Sequence, residues 1–197
     1  MAQVEQIPLG DICKVTAGPS GSLLENLHHG PDGVPMISPP DITVDHTVDT
    51  RQLRHVPWAD AERLSRFALR EGDLLVVRQG TLGRLALIGA EHATWFYSSS
   101  CLRVRPRREV ILPAYLVSYL SHPLVQSDLL GQALPGTVAS LNSAMLNALP
   151  VIVPSIGQQW AIVETLADVD AQIRIQRAMA DRLEALRPAI FGEMIER

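Results

Sequence analysis

Apolar side chains recur at Ile162, Leu166, Val169, Ile173, Ala180, Leu183 and Ile190, in steps of three, four and seven that line one face of an α-helix. The row is close to a heptad seam. It is broken by Gln176 and Arg187 and flanked by Arg174, Arg177, Asp181, Arg182 and Glu184, as in a coiled coil whose polar positions specify its register. One helix over 158–197 would be on the order of 50 Å long, more than the width of a domain this size. From the helix alone two readings stand: a terminal helix packed on its own domain, or a rod that binds a partner. The chain accordingly divides into a globule over 1–155 and a long helix over 156–197.

The globule can bury a proper core, since 47% of the 197 residues are hydrophobic. No run approaches the roughly 20 apolar residues that span a bilayer, and residues 1–8 have no basic lead into an apolar run. The sequence therefore reads as cytoplasmic, with no membrane partner. Cys13 and Cys101 suit a reducing compartment and do not make a disulfide framework.

Net charge is −4, which is no signature of a nucleic-acid protein, but the charge is unevenly spread. Residues 1–50 hold one cation, Lys14, against seven acids; 51–108 hold eleven arginines against five acids; 109–197 hold five arginines against nine acids. Sixteen of the seventeen cations are arginine, whose planar fork suits guanine edges and phosphates. A GC-rich genome would also favour arginine, though it would not gather it in one third of the chain.

The pattern of elements is short and mixed. A turn and strand are expected over 6–15, a surface loop over 18–33, extended chain over 34–42 and a helix over 58–67. Strands over 74–77 and 84–88 form a hairpin around Gln79-Gly80-Thr81-Leu82-Gly83, with glycines where a tight turn needs positive φ. A strand over 102–105 follows, then a helix from Pro113 to about Leu130, a short helix capped by Ser140 through Leu149, and a last strand over 151–153. Strands mixed with short helices in no regular alternation argue for an α+β globule.

The order of these pieces carries a resemblance. Gly72-Asp73-Leu74-Leu75-Val76-Val77-Arg78-Gln79-Gly80-Thr81-Leu82-Gly83 comes first, and Leu112-Pro113-Ala114-Tyr115-Leu116 next. Gly136-Thr137, Leu149-Pro150-Val151-Ile152-Val153-Pro154 and Gln159 with the helix 161–173 complete it. The chain resembles the specificity subunit of type I restriction-modification enzymes over nearly its whole length. The resemblance implies a target recognition domain for one half of a split site in double-stranded DNA, and a conserved helix that packs against its counterpart and holds adenine methyltransferase subunits. The usual subunit carries two such units in tandem. One unit implies either a half-subunit working as a homodimer on a palindromic split site, or a piece of a longer subunit. No cofactor is expected in this chain: S-adenosylmethionine and, where a restriction and translocase subunit is present, ATP belong to the partners. One departure is that Gln158-Gln159 stand where the family commonly has a glutamate-glutamine pair, which removes a favourable charge at a helix N-terminus. A second is Arg187-Pro188, which should bend or end the helix.

The residues expected at DNA are Arg78, Gln79, Gly80, Thr81 and Arg84 on the hairpin, Ser98, Ser99 and Ser100, Arg103 and Arg105 with Arg107 and Arg108, and Thr137 and Asn142 in a further loop. Each has a plainer reading as a solvated turn, a basic strand edge or a helix cap. Other chemistries fail. Ser38-Pro39-Pro40-Asp41 lacks the aromatic residue that ends the adenine methyltransferase tetrapeptide, and no glycine-rich cofactor loop accompanies it. Gly80-Thr81-Leu82-Gly83 matches the KH loop in letters but joins strands rather than helices. The histidines, among them His28-His29, His46, His55, His92 and His122, have no metal-ligand spacing and read as solvated loop residues. No Gly-x-Ser-x-Gly elbow or Walker loop is present. The expectation is a non-catalytic DNA-recognition subunit, with a protein-protein adaptor that dimerises through its helix as the alternative.

Overall fold

The computed structural model describes residues 6–20, 28–29, 32–132 and 139–195. Their order is β1 (Gln6–Pro8), α1 (Leu9–Ile12), β2 (Cys13–Ala17), β3 (His28–His29), β4 (Val34–Ile37), β5 (Arg54–Val56), α2 (Trp58–Ala61), β6 (Leu74–Val77), β7 (Leu85–Leu87), β8 (Phe96–Tyr97), β9 (Cys101–Pro106), α3 (Pro113–Ser121), α4 (Pro123–Gly131), α5 (Ser143–Ala148), β10 (Pro150–Ile152) and α6 (Ile156–Ile195). The architecture is mixed helix and sheet, as expected. Two compact units result, Met1–Gln159 and Trp160–Arg197.

The first unit is built on an antiparallel sheet in the order β2-β9-β6-β7. All four residues of β6 are buried, because an apolar run in a central strand must be covered on both faces. Leu75 and Val77 join Met36, Ile37, Ile42, Leu64, Phe67 and Tyr97 in one cluster, which the second sheet, β3-β5-β4-β8, supplies from one side. In that sheet β8 runs parallel to β4, Met36 opposite Phe96. β1 and β10 pair antiparallel, Ile7 opposite Val151, so the ends of this unit close on each other.

Several elements differ from expectation. The stretch 34–42 is a strand only to Ile37; Pro39–Asp41 is a 3-10 turn, closed by the Ser38 amide donating to Asp41 Oδ2 at 2.7 Å. The Ser-Pro-Pro-Asp run is therefore a turn motif. The helix expected over 58–67 is α2 followed by a 3-10 stretch, Glu62–Phe67. The helix expected from Pro113 to Leu130 is two, since Pro123 pushes His122 to extended backbone (ψ 132°). The His122 ring then accepts the Leu124 amide at 3.3 Å, which starts α4. Asn142, not Ser140, caps α5, accepting the Met145 amide at 3.0 Å. Part of the expected loop over 18–33 lies outside the described residues, and His28–His29 within it pair with β5. His92 is buried, edge-on to Trp95 with ring centroids 4.8 Å apart, so it is a core residue and not a solvated one.

The first turn of α6 belongs to the globule. Ser155 and Gln158 form a capping box, the Ser155 amide donating to Gln158 Oε1 at 3.1 Å and the Gln158 amide to Ser155 Oγ at 3.4 Å. Gln158 thus performs the capping role without an acid. Gln159 is fully buried; its amide donates to the carbonyls of Val110 and Pro154 and accepts from the Leu112 amide. These three bonds draw the division of the chain past residue 155.

Cys13 and Cys101 are free and buried, and burial pushes both thiols up to about 12. Burial also raises the Tyr97 phenol to about 12. The unfolded chain would release these protons from about pH 9 upward while the fold retains them, so stability falls as pH rises from 9 toward 12. Thermal melts across that range should show a progressively lower midpoint. Neither thiol should react with a disulfide reagent at pH 8 before unfolding.

The second unit is the rest of α6, a helix whose described residues are almost all exposed. It continues through Pro188 instead of ending there. Proline costs one main-chain bond, and at an exposed position the freed carbonyl can turn to water. Among the described residues no helix is long and apolar enough to cross a membrane.

Candidate nucleic-acid interface

The β6–β7 hairpin ends in a turn held by left-handed glycines, Gly80 at φ 88° and Gly83 at φ 76°, a conformation that side chains with a Cβ resist. The Gly83 amide donates to Val77 O at 3.1 Å, the Leu82 amide to Gly80 O at 2.9 Å and the Arg84 amide to Thr81 O at 3.3 Å. Gln79, Gly80 and Thr81 stand exposed at the tip, and Arg78 beneath them is half-buried.

Two distant segments brace this tip. The Arg78 amide donates to Ser100 O at 2.9 Å, and Arg78 O accepts from the Leu141 amide at 3.0 Å. Gln79 and Ser140 form an antiparallel bridge, and Ser100 Oγ donates to Gln79 Oε1 at 3.5 Å. The hairpin, the serine run and the 139–142 loop, expected separately at DNA, therefore meet around Arg78. Its Nε is buried with no hydrogen-bond partner among the described residues, an arginine donor not spent on the fold.

Other candidates are placed differently. Arg84 is half-buried and its Nη1 donates to Ile42 O at 3.1 Å, so it is a strut for the hairpin base and not a free reader. Ser98 is buried, with its Oγ 3.9 Å from Cys101 Sγ; Ser99 and Ser100 are half-buried. Asn142 spends its Oδ1 on the α5 cap. Thr137 lies outside the described residues.

Arg103 is corrected outright. It is 3% exposed, lies over the Tyr97 ring at 5.7 Å and donates to the carbonyls of Ala68 at 3.0 Å and Arg66 at 3.4 Å. Burial lowers its pKa. Arg105 is a clamp, its Nε and Nη2 donating to the Asp73 carboxylate at 2.6 and 2.7 Å, and that bond raises its pKa. Both point inward because alternate residues of a central strand face the core, where a charge persists only if paired or hydrogen-bonded.

Sequence reasoning missed Gln126 on α4. Its amide donates to Gly83 O at 3.2 Å and Leu120 O at 2.6 Å, holding the turn from behind. A glutamine 43 residues from its partner leaves no local signal. Also missed was the placement of Lys14, Arg70, Arg107 and Arg108 around one open cleft of about 830 Å³. The sheet register sets this cleft at the other end of β6 and β9 from the tip.

Residues 1–185 match the family model described as the type I restriction modification DNA specificity domain. The chain belongs to this family. A curated relative, the EcoBI specificity subunit of Escherichia coli, is 29% identical over 140 residues, covering 71% of this chain and 29% of that protein. Among solved structures, a chain from work on complex assembly and conformational transition of the type I R-M system superposes with a TM-score of 0.69 at 19% identity, covering 90% of this chain and 41% of that one. The HsdS subunit from Thermoanaerobacter tengcongensis gives 0.62 at 17%, over 88% and 39%. These likenesses establish the fold. The specificity chain described here spans about two fifths or less of the relatives it matches.

Proposed function

We propose that this specificity chain recognises one half of a split site in double-stranded DNA and thereby directs adenine N6 methylation by partner modification subunits. The convergence of the hairpin tip, the serine run and the 139–142 loop on Arg78 carries this reading, in a chain whose match to the DNA specificity domain covers residues 1–185. Arg78, Gln79 and Thr81 are the base-reading candidates, since guanidinium, amide and hydroxyl groups suit base edges. Ser99 and Ser100 are suited to phosphate contacts. The globule does no chemistry in this reading; the methyltransferase partners bring S-adenosylmethionine, and a restriction and translocase subunit, where present, brings ATP. The exposed face of α6 serves for pairing with a second copy and for holding the modification subunits. A palindromic split site follows from two identical readers. No observation favours the adaptor alternative.

The test is duplex binding by the chain assembled with its modification subunit. Phosphate neutralisation predicts a log affinity that falls linearly with log salt, losing on the order of 10³-fold or more between 50 and 200 mM if about six phosphates are contacted. A salt-independent interaction, or none with duplex DNA at low salt, overturns the reading.

A further inference from the structure

Three cations line a second open cleft in the first unit, of about 470 Å³. Lys14, Arg66 and Arg103 share it with the hydroxyl residues Thr16 and Ser20 and the ring of Phe67, and no acidic residue is among its described lining. The cleft around Arg107 and Arg108 is larger, but Glu71, Asp73 and Glu109 line that one as well. The charge of the smaller cleft is all of one sign.

Strand register builds it. Thr16 stands opposite Arg103, and Lys14 opposite Arg105, across β2 and β9, so these four residues share one face of the sheet. Like charges set directly opposite are unfavourable, and the Asp73 carboxylate bonds Arg105, not Lys14. Arg66 is exposed, with its guanidinium carbon 4.7 Å from the centre of the Phe67 ring, a contact that positions the charge beside the cleft.

Arg103 is an independent observation. It is 3% exposed, its Nη1 is held by two neutral carbonyls, and its Nε is buried with no hydrogen-bond partner among the described residues. Asp73 attracts it, but Asp73 is bonded to Arg105, and Arg105 and Arg70 both repel it. A guanidinium withdrawn from water is costly unless a counter-charge or a full set of acceptors meets it. An anion in the adjoining cleft meets that need.

We propose that this cleft binds the phosphate group of a phosphate ester, with the exposed Lys14 and Arg66 on its oxygens, Thr16 and Ser20 donating hydroxyls, and the buried Arg103 opposing its charge. The volume lies in the range of small-molecule sites and exceeds what inorganic phosphate alone fills. Two sources offer this chemistry. Ala17 pairs with Leu102, and Val77 with Cys101, so the Gly18–Ser20 end of the cleft lies at the end of the sheet that carries the hairpin tip. A backbone phosphate of duplex DNA on that tip is one source, and a free nucleotide is the other. Only the first rests on the specificity reading.

Titration of the full chain with inorganic phosphate and with thymidine monophosphate tests the site, at ionic strength held constant with chloride, followed by thermal midpoint and phosphorus NMR line broadening. Saturable binding is expected, weakened about 5-fold or more by Arg66→Ala and by Lys14→Ala, since each removes a charged hydrogen-bond donor. Both residues are exposed, so the variants should fold. Arg51→Ala removes the same charge from an exposed position elsewhere and should leave the affinity unchanged. No saturable binding, a site that either cleft variant leaves unchanged, or one that Arg51→Ala weakens as much would overturn the proposal. The salt dependence of duplex binding, with the chain assembled with the proposed modification subunit, then separates the sources. A backbone phosphate in the cleft predicts a log-log slope smaller by about one in Arg66→Ala, with base preference kept. A free ester predicts an unchanged slope, and thymidine monophosphate that stays bound beside the duplex. Loss of duplex binding with the phosphate site intact would count against the specificity reading and leave the site standing.

Discussion

Replacing Asp73 by alanine is expected to cost about 3–5 kcal/mol, the range for breaking a buried ion pair and leaving one charge uncompensated. Asp73 is 1% exposed. Its carboxylate takes two bonds from Arg105 and a third from the Arg70 amide at 2.8 Å, and the Asp73 amide donates to Arg70 O at 3.0 Å. Removing it strands a guanidinium at 23% side-chain exposure against the central sheet and unties the 70–73 turn that starts β6. Urea denaturation of Asp73→Ala should show a much lower midpoint with an unchanged slope. Asp73→Asn should recover part of the loss, since the amide keeps the shape and one acceptor. A cost below about 1 kcal/mol would mean that Arg105 is served by solvent, and its place as a clamp would fall.

The second expectation separates reading from folding. Arg78→Ala should weaken cognate duplex binding by about 1–3 kcal/mol, roughly 5- to 150-fold, and relax preference at one position of the half-site. Its unfolding free energy should move by less than about 1 kcal/mol, because the Arg78 Nε makes no hydrogen bond within the described residues. Arg103→Ala should do the opposite. It removes a buried group held by two carbonyls and an aromatic ring, so it lowers stability while the folded fraction binds DNA with unchanged preference. The pair of variants, measured by anisotropy at fixed salt and by denaturation, discriminates a half-buried arginine beneath the hairpin tip from one whose guanidinium is held by core carbonyls. If both lost affinity equally with no loss of stability, the placement of the two would be wrong.

The local rules served well where neighbouring residues decide the structure. The run Leu74–Val77 announced a buried strand, and Gly80 and Gly83 announced the positive φ that both adopt. The long helix was legible from its apolar spacing. What the local pattern did not reveal was how partners distant in sequence would use each side chain. Arg103 and Arg84 look alike in sequence to Arg78, yet the Nη1 of one donates to the carbonyls of Ala68 and Arg66 and the Nη1 of another to that of Ile42, while the Nε atoms of both Arg78 and Arg103 are buried without a partner among the described residues. Pro123 split a helix whose apolar character runs on across it, and Pro188 failed to end one, because the first falls where the chain turns and the second on an exposed helix. The convergence of 78–84, 98–100 and 139–142 depends on strand register and a bridge between Gln79 and Ser140, which no spacing within a segment can encode.

The decisive measurement is long-read detection of N6-methyladenine in cells expressing the proposed adenine methyltransferase partner with this chain, without it, and with Arg78→Ala. Recognition by a symmetric pair predicts a split palindromic motif methylated only when the chain is present, and reduced or blurred at one half-site position with Arg78→Ala. Methylation that is the same with and without the chain would contradict a role in choosing the sequence.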